Sequence, residues 1–248
     1  MESPYTDEFF EAIVAGSSSS AERIVSFLMP LVQPKSVVDV GCGTGSWCAE
    51  FVRHGVSDIL GIDGEYVDKT RLRISPSAFK VMNLESPIHL DRTFDLAISM
   101  EVGEHLSPAR ASSFVADLTR LAPLILFSAA IPGQGGIHHI NEQWQSYWSL
   151  LFQERGFEGI DCIRARFWND EQIEFWYRQN TFLYARKDRV EQFTSLSQVS
   201  PLDIVHPKTF RQMRDKAESK LSLGFLCRSF PSAIWRSVRS RIARIERK

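Results

Sequence analysis

The chain has 248 residues, of which 44% are hydrophobic and 24% charged, and its net charge is −1. That length suits one sizeable α/β domain with extensions, and the composition is ordinary for a globular protein. The longest apolar run, Leu121 to Ile131, is too short for a bilayer, Met1-Glu2-Ser3-Pro4 begins no signal peptide, and Cys42, Cys48, Cys162 and Cys227 form no CxxC pair, so a cytoplasmic protein without a disulfide framework is expected.

Residues 1–35 read as an N-terminal helical segment. It breaks at Gly16-Ser17-Ser18-Ser19-Ser20, where a serine caps a second helix from Ala21, and Pro30 and Pro34 bound its end. The apolar run at Val37 predicts a strand, and Trp47 to His54 a helix that stops at Gly55. Further strands are expected at Asp58–Asp63, Phe79–Leu84, Phe94–Ser99 and Leu124–Ser128, with a helix from Ser107-Pro108 to Leu121. A helix over Asn141–Arg155 and closing strands at Gly159–Ala165 and Thr181–Ala185 complete the series. Strands separated by helices in this way imply right-handed βαβ units. The predicted organisation is a helical segment (1–35), an α/β domain (36–190), a linker (191–207) and a basic helical tail (208–248).

The densest motif is Val38-Asp39-Val40-Gly41-Cys42-Gly43-Thr44-Gly45, a strand running into a glycine-rich turn and a helix. A dinucleotide site calls for G-x-G-x-x-G, so that pyrophosphate sits on the helix N-terminus. Here the glycines alternate, Ser46 stands at the third glycine position, and Asp39 precedes the turn. A carboxylate there opposes a pyrophosphate and suits a cationic amino group, such as that of S-adenosylmethionine. Asp63 ends the second strand, where a carboxylate accepts hydrogen bonds from both hydroxyls of a ribose; that role is common to both cofactor types.

With Gly61-Ile62-Asp63-Gly64, Asn83-Leu84 and the run from Phe94 to Leu106 (including Met100-Glu101-Val102-Gly103-Glu104-His105) in the same order, the chain resembles the class I S-adenosylmethionine-dependent methyltransferases. The resemblance covers about residues 20–130 and, more loosely, extends to about 186. It implies an α/β Rossmann-like, doubly wound and mostly parallel seven-stranded sheet, with S-adenosyl-L-methionine as the methyl donor. It also implies that Asp39, Gly41, Gly43 and Gly45 line the methionine moiety and that Asp63 holds the ribose. Asn83 and Leu84 would flank the adenine, Asn83 standing where many members have Asp, and Met100 and Glu101 would lie beside the sulfonium. Trp47 departs from the small or aliphatic residue common at its position and is given no role.

The loop from Pro132 to Trp148 follows the fifth strand, at the sheet edge where open α/β folds bind ligands. It resembles the bacterial members of the family that act on sugars or other small hydroxylated metabolites. A hydroxyl acceptor needs a base, and histidine is suited near neutral pH. His139 is the first candidate, His138 the second and His105 a third, with Glu142 or Asn141 orienting the base or the substrate. The alternative is that His139 bonds the following helix and Asn141 caps it. Glu101, His105, His138 and His139 match no metal-ligand spacing, so no metal is expected. Aromatics at Phe167-Trp168 and Phe175-Trp176-Tyr177 read mainly as core, and Arg178 as solvated surface or a partner for an anionic substrate group.

No Asn/Asp-Pro-Pro-Tyr run follows the fourth strand and no Pro-Cys pair is present, so a nucleic-acid base is not the expected substrate. Residues 206–248 carry a charge of +9 and the remainder −10. In the tail, Ile234, Trp235, Val238, Ile242 and Ile245 fall on roughly one helical face, which suits contact with the acidic body, with a protein partner, or with an anionic membrane surface. A non-catalytic adenosylmethionine-binding or partner-binding module is one alternative function. A nicotinamide oxidoreductase is the other, opposed by Asp39 and Ser46.

Overall fold

The computed structural model describes residues 7–193, 195–196 and 202–220. Seven strands form one sheet: β1 (Ser36–Val40), β2 (Asp58–Asp63), β3 (Phe79–Val81), β4 (Leu96–Met100), β5 (Leu124–Ser128), β6 (Phe157–Ile160) and β7 (Phe182–Arg186). Their order is β3-β2-β1-β4-β5-β7-β6. The first five strands pair parallel, and β7 runs antiparallel to β5 and β6. The strand order reverses between β1 and β4, which places the ligand crevice of such a sheet beyond their carboxyl ends.

Helices cover both faces. Helices α1 (Asp7–Val32), α2 (Ser46–Arg53), α5 (Cys162–Phe167) and α6 (Phe175–Asn180) join one apolar cluster with Val37, Leu96, Ile98 and Leu126. Helices α3 (Ala111–Leu121) and α4 (Gln145–Gln153) join the other, around Phe114, Phe127, Trp148 and Phe152. Two compact units divide at His206/Pro207. The second contains α7 (Pro207–Lys220). The apolar stripe from Ile234 to Ile245 lies outside the described residues. No helix of the described residues is long and apolar enough to cross a membrane.

Three elements differ from the sequence-based expectation, each because polar groups of the backbone or side chains find partners other than the expected ones. The break at Gly16–Ser20 is absent, and α1 runs unbroken to Val32 with Pro30 inside it. Ser20 donates to the Gly16 carbonyl at 2.7 Å and also receives the Glu174 N–H at 3.0 Å. Ser19 donates to the Gln172 carbonyl and Ser18 receives Arg73, so the serines form a polar stripe facing the body rather than a cap.

The helix expected from Asn141 begins only at Gln145, because the N–H groups of Ile140 and Asn141 both go to the Glu104 carbonyl. The strand expected at Gly159–Ala165 ends at Ile160. Asp161 then turns the chain into α5 and accepts two hydrogen bonds from the buried Arg164, at 2.9 and 2.6 Å.

Candidate active site

The glycine turn is fixed from below. The Gly41 and Cys42 N–H groups both donate to the Ile62 carbonyl, at 2.8 and 3.2 Å, which ties the end of β1 to β2. Gly41 has φ +85°, and a Cβ there would stand 2.3 Å from Val102 Cγ2. Glycine is therefore required both for the left-handed backbone and for the close approach of the loop after β4. Gly43 has φ +54°, and a Cβ there would meet nothing within 4 Å. Its backbone faces open space, as a turn that receives a ligand should.

Two carboxylates lie under this turn. Asp39 is 1% exposed, and burial, reinforced by the charge of Asp63, pushes its carboxyl up to about 8. Asp63 Oδ2 accepts the Gly43 N–H at 2.6 Å, and Oδ1 accepts the Gly64 N–H at 2.6 Å and the Tyr66 hydroxyl. The Asp63 carboxylate thus joins the ends of β1 and β2. Asn83 Oδ1 accepts the Glu85 N–H at 3.0 Å, shaping the loop after β3, and Leu84 is buried beside it in the α3 cluster.

Asp39 has a consequence for stability. Its folded value lies above the unfolded 3.8, so the folded state keeps a proton that the unfolded state has released. Stability attributable to this group is complete below about pH 4 and is lost as pH rises towards 8. The slope reaches about 1.4 kcal/mol per pH unit at its steepest. In urea denaturation of the ligand-free chain between pH 6 and 8, Asp39→Asn is expected to remove this component of the decline. Equal slopes in the two proteins would contradict it.

Beyond β4 the chain turns sharply. Glu101 has φ +56°, and its N–H reaches both the carbonyl and the hydroxyl of Ser128, at 3.0 and 3.1 Å. The Ser128 hydroxyl also lies 3.9 Å from Met100 Sδ. The Glu101 carboxylate accepts Asn180 Nδ2 at 3.2 Å and Gln134 Nε2 at 3.0 Å. Burial raises its pKa, against these bonds and the His139 charge, which lower it.

Gln179 bridges Gln134 and Asn180. This amide network was not assigned from sequence. Its signal was the polar pair Gln179-Asn180 closing an aromatic helix just before a strand. Arg178, expected at the surface, is buried, and its Nη1 donates to the Trp168 carbonyl at 3.2 Å. The short helix α6 turns it inward, and Asp170, Glu171 and Glu174 offset the burial of its charge.

The Pro132–Trp148 loop folds onto this edge. Glu142 accepts the N–H groups of Gly133 and Gly135, at 2.8 and 2.6 Å, and Oε1 also lies 3.1 Å from His139 Nδ1. The carboxylate therefore orients the imidazole. Asn141 does not: its Nδ2 donates to the Gly103 carbonyl, and helix α4 starts after Trp144. His138 is exposed and sits at φ +58°. The rings of His105 and His139 meet edge to face, with centroids 4.8 Å apart. The His105 pKa is lowered by burial and by His139, while the Asp63 charge partly opposes the shift. The histidine cluster and the Asp63 carboxylate are thus close enough to interact.

Residues 17–162 match the family described as "Methyltransferase domain", and they span the turn, both carboxylates and the histidine loop. The chain belongs to the methyltransferase domain family. Among curated proteins, the methyltransferase is similar to norajmaline N-methyltransferase of Rauvolfia serpentina, with 23% identity over 142 residues. That match covers 48% of this chain and 47% of the relative, so the chain matches about half the length of that protein.

In fold, the methyltransferase is similar to DesVI of Streptomyces venezuelae, with a TM-score of 0.56 and 14% identity, over 73% of this chain and 96% of the other. It is also similar to the sugar N-methyltransferase KedS8 of Streptoalloteichus sp. ATCC 53650, with a TM-score of 0.54 and 15% identity, over 75% and 97%. Its sheet is that of the class I methyltransferases, which take S-adenosylmethionine as methyl donor.

Proposed function

We propose that this methyltransferase moves the methyl group of S-adenosylmethionine to an oxygen of a small hydroxylated molecule, such as a sugar or glycan precursor, with His139 as the base. The observation that carries the reading is the His139–Glu142 pair: an imidazole fixed through Nδ1 by a carboxylate that two backbone N–H groups hold in place. It sits at the sheet edge occupied by the glycine turn.

The residues present fit the donor. Asp39 suits its amino group, the Gly41–Gly45 turn leaves backbone open at Gly43, and Asp63 suits its ribose. Asn83, Leu84, Met100 and Glu101 would line the rest. Bound S-adenosylmethionine supplies an electrophilic methyl carbon on a sulfonium. His139 Nε2 takes the acceptor's proton as the oxygen–carbon bond forms and the carbon–sulfur pair stays on sulfur. Gly136 packs against that part of the ring, where any side chain would displace it, since a Cβ there would stand 2.2 Å from Nε2. Positioning and exclusion of water by the loop supply much of the remaining acceleration.

Two of the similar proteins bear the names of N-methyltransferases. A neutral amine attacks without prior loss of a proton, whereas a hydroxyl needs a tethered base, and this favours oxygen here. Incubation of the full chain with methyl-labelled donor and a panel of sugars, sugar nucleotides and phenols, followed by NMR of the product, is expected to show an O-methyl group. A methyl group on nitrogen would overturn the oxygen assignment.

A further inference from the structure

Glu104 is 0% exposed, and neither carboxylate oxygen has a hydrogen-bond partner. The backbone N–H groups of Glu104 and Ala130 lie near it without hydrogen-bond geometry, and the Glu101 carboxylate beside it adds a like charge. A buried carboxylate left this way is costly unless it takes up a proton, shared here with Glu101, or a cation completes it.

Histidine rings supply the rest of a donor set. One ligand atom each from Glu104, His105 and His139 lies within 4.8 Å of the others. Each ring makes a further hydrogen bond of the kind that orients a ligating histidine. His139 Nδ1 meets the Glu142 carboxylate, and His105 bonds the backbone of His138.

We propose that Glu104, His105 and His139 bind one divalent cation of the zinc or manganese kind, with the acceptor hydroxyl taking an open position on it. Two imidazoles and a carboxylate are a donor set for such ions, which keep a site for water or substrate when only three protein ligands are present. Bonds of about 2.1 Å to the ion require the three side chains to close by about 1 Å or slightly more, a rotamer adjustment.

The proposal goes beyond the oxygen-methylation reading and changes one part of it. With the cation bound, His139 is a ligand through Nε2, and the coordinated hydroxyl loses its proton to water before attack. Glu101, whose carboxylate is already satisfied by Asn180 and Gln134, stays outside the donor set and adds negative potential.

The test is direct binding. Full-length chain stripped with EDTA and dialysed is titrated with Zn2+, Mn2+ and Mg2+ by calorimetry, and bound metal is counted by elemental analysis. One equivalent of Zn2+ or Mn2+ is expected, with affinity reduced about 10- to 100-fold in Glu142→Gln and stoichiometric binding abolished in Glu104→Gln and in His105→Ala. Circular dichroism confirms that each variant is folded, and a Glu104→Asp variant that regains binding adds support. No stoichiometric uptake of any of the three ions, or uptake undiminished in the Glu104→Gln, His105→Ala double variant, would overturn the proposal. Titration with S-adenosylmethionine in EDTA is run alongside: donor binding without metal binding sinks the cation and leaves the methyltransferase reading standing.

Discussion

Replacing His139 with Ala is expected to lower kcat about 10²- to 10⁴-fold, the usual worth of a positioned acid–base group, while leaving S-adenosylmethionine affinity unchanged. The separation follows from placement. His139 lies on the loop after β5, bonded to Glu142 and packed against His105. The glycine turn, the proposed donor site, is built from β1 and β2, and its hydrogen bonds run to Ile62 and Asp63. Glu142→Gln keeps a partner for the ring but loses the charge, and it weakens the contacts that shape the loop at Gly133 and Gly135. Its effect is expected to be smaller, roughly tenfold or somewhat more. Steady-state and single-turnover kinetics check both variants. A near-normal kcat for His139→Ala would leave that ring only a packing role against His105.

Asp63→Ala is expected to have the second large effect, on binding rather than turnover. The side chain accepts Gly43 N–H, Gly64 N–H and the Tyr66 hydroxyl, and in the proposed donor site it also receives the ribose hydroxyls. Its loss removes at least two charge-assisted bonds to the donor, each worth about 1.5–3 kcal/mol, so the donor's Kd should rise about 100-fold or more. A second signature follows from electrostatics. The charge of Asp63 helps hold Asp39 up at about 8, so removing it should move the Asp39 titration down towards the ordinary carboxylate range. Calorimetry with S-adenosylhomocysteine measures the first effect, and carboxyl-resolved NMR titration the second. Unchanged affinity in the variant would remove Asp63 from the donor site.

The central strands and the turn were legible because local signals and tertiary context agree there. Apolar runs end in acids at Asp39 and Asp63, and Gly41 must be glycine on two grounds at once, backbone sign and the contact with Val102. The antiparallel β7 was less visible, since Thr181–Ala185 looks the same in either direction. What failed did so where polar side chains choose distant partners. The Ser17–Ser20 run reads as a helix stop, yet Ser19, Ser20 and Ser18 bond Gln172, Glu174 and Arg73. Arg178 reads as a surface residue, yet it is folded inward.

At the site, the sequence named His139 with Glu142 or Asn141 to orient it, and only Glu142 does so. It discounted a metal because Glu101, His105, His138 and His139 match no ligand spacing, and it left Glu104 out of that set. The proximity of Glu104, His105 and His139 is made by the loop returning its Ile140 and Asn141 N–H groups to the Glu104 carbonyl, a non-local contact that no spacing rule contains. The amide network of Gln134, Gln179 and Asn180 around Glu101 is of the same kind.

The most direct measurement of the central claim is calorimetric titration of the full chain with S-adenosylmethionine, S-adenosylhomocysteine and NAD. One site is expected for each of the first two, weakened in Asp63→Ala, and no binding of NAD, because Ser46 replaces the third glycine that a pyrophosphate site calls for. Saturable binding of NAD with none of the adenosyl ligands would contradict that claim.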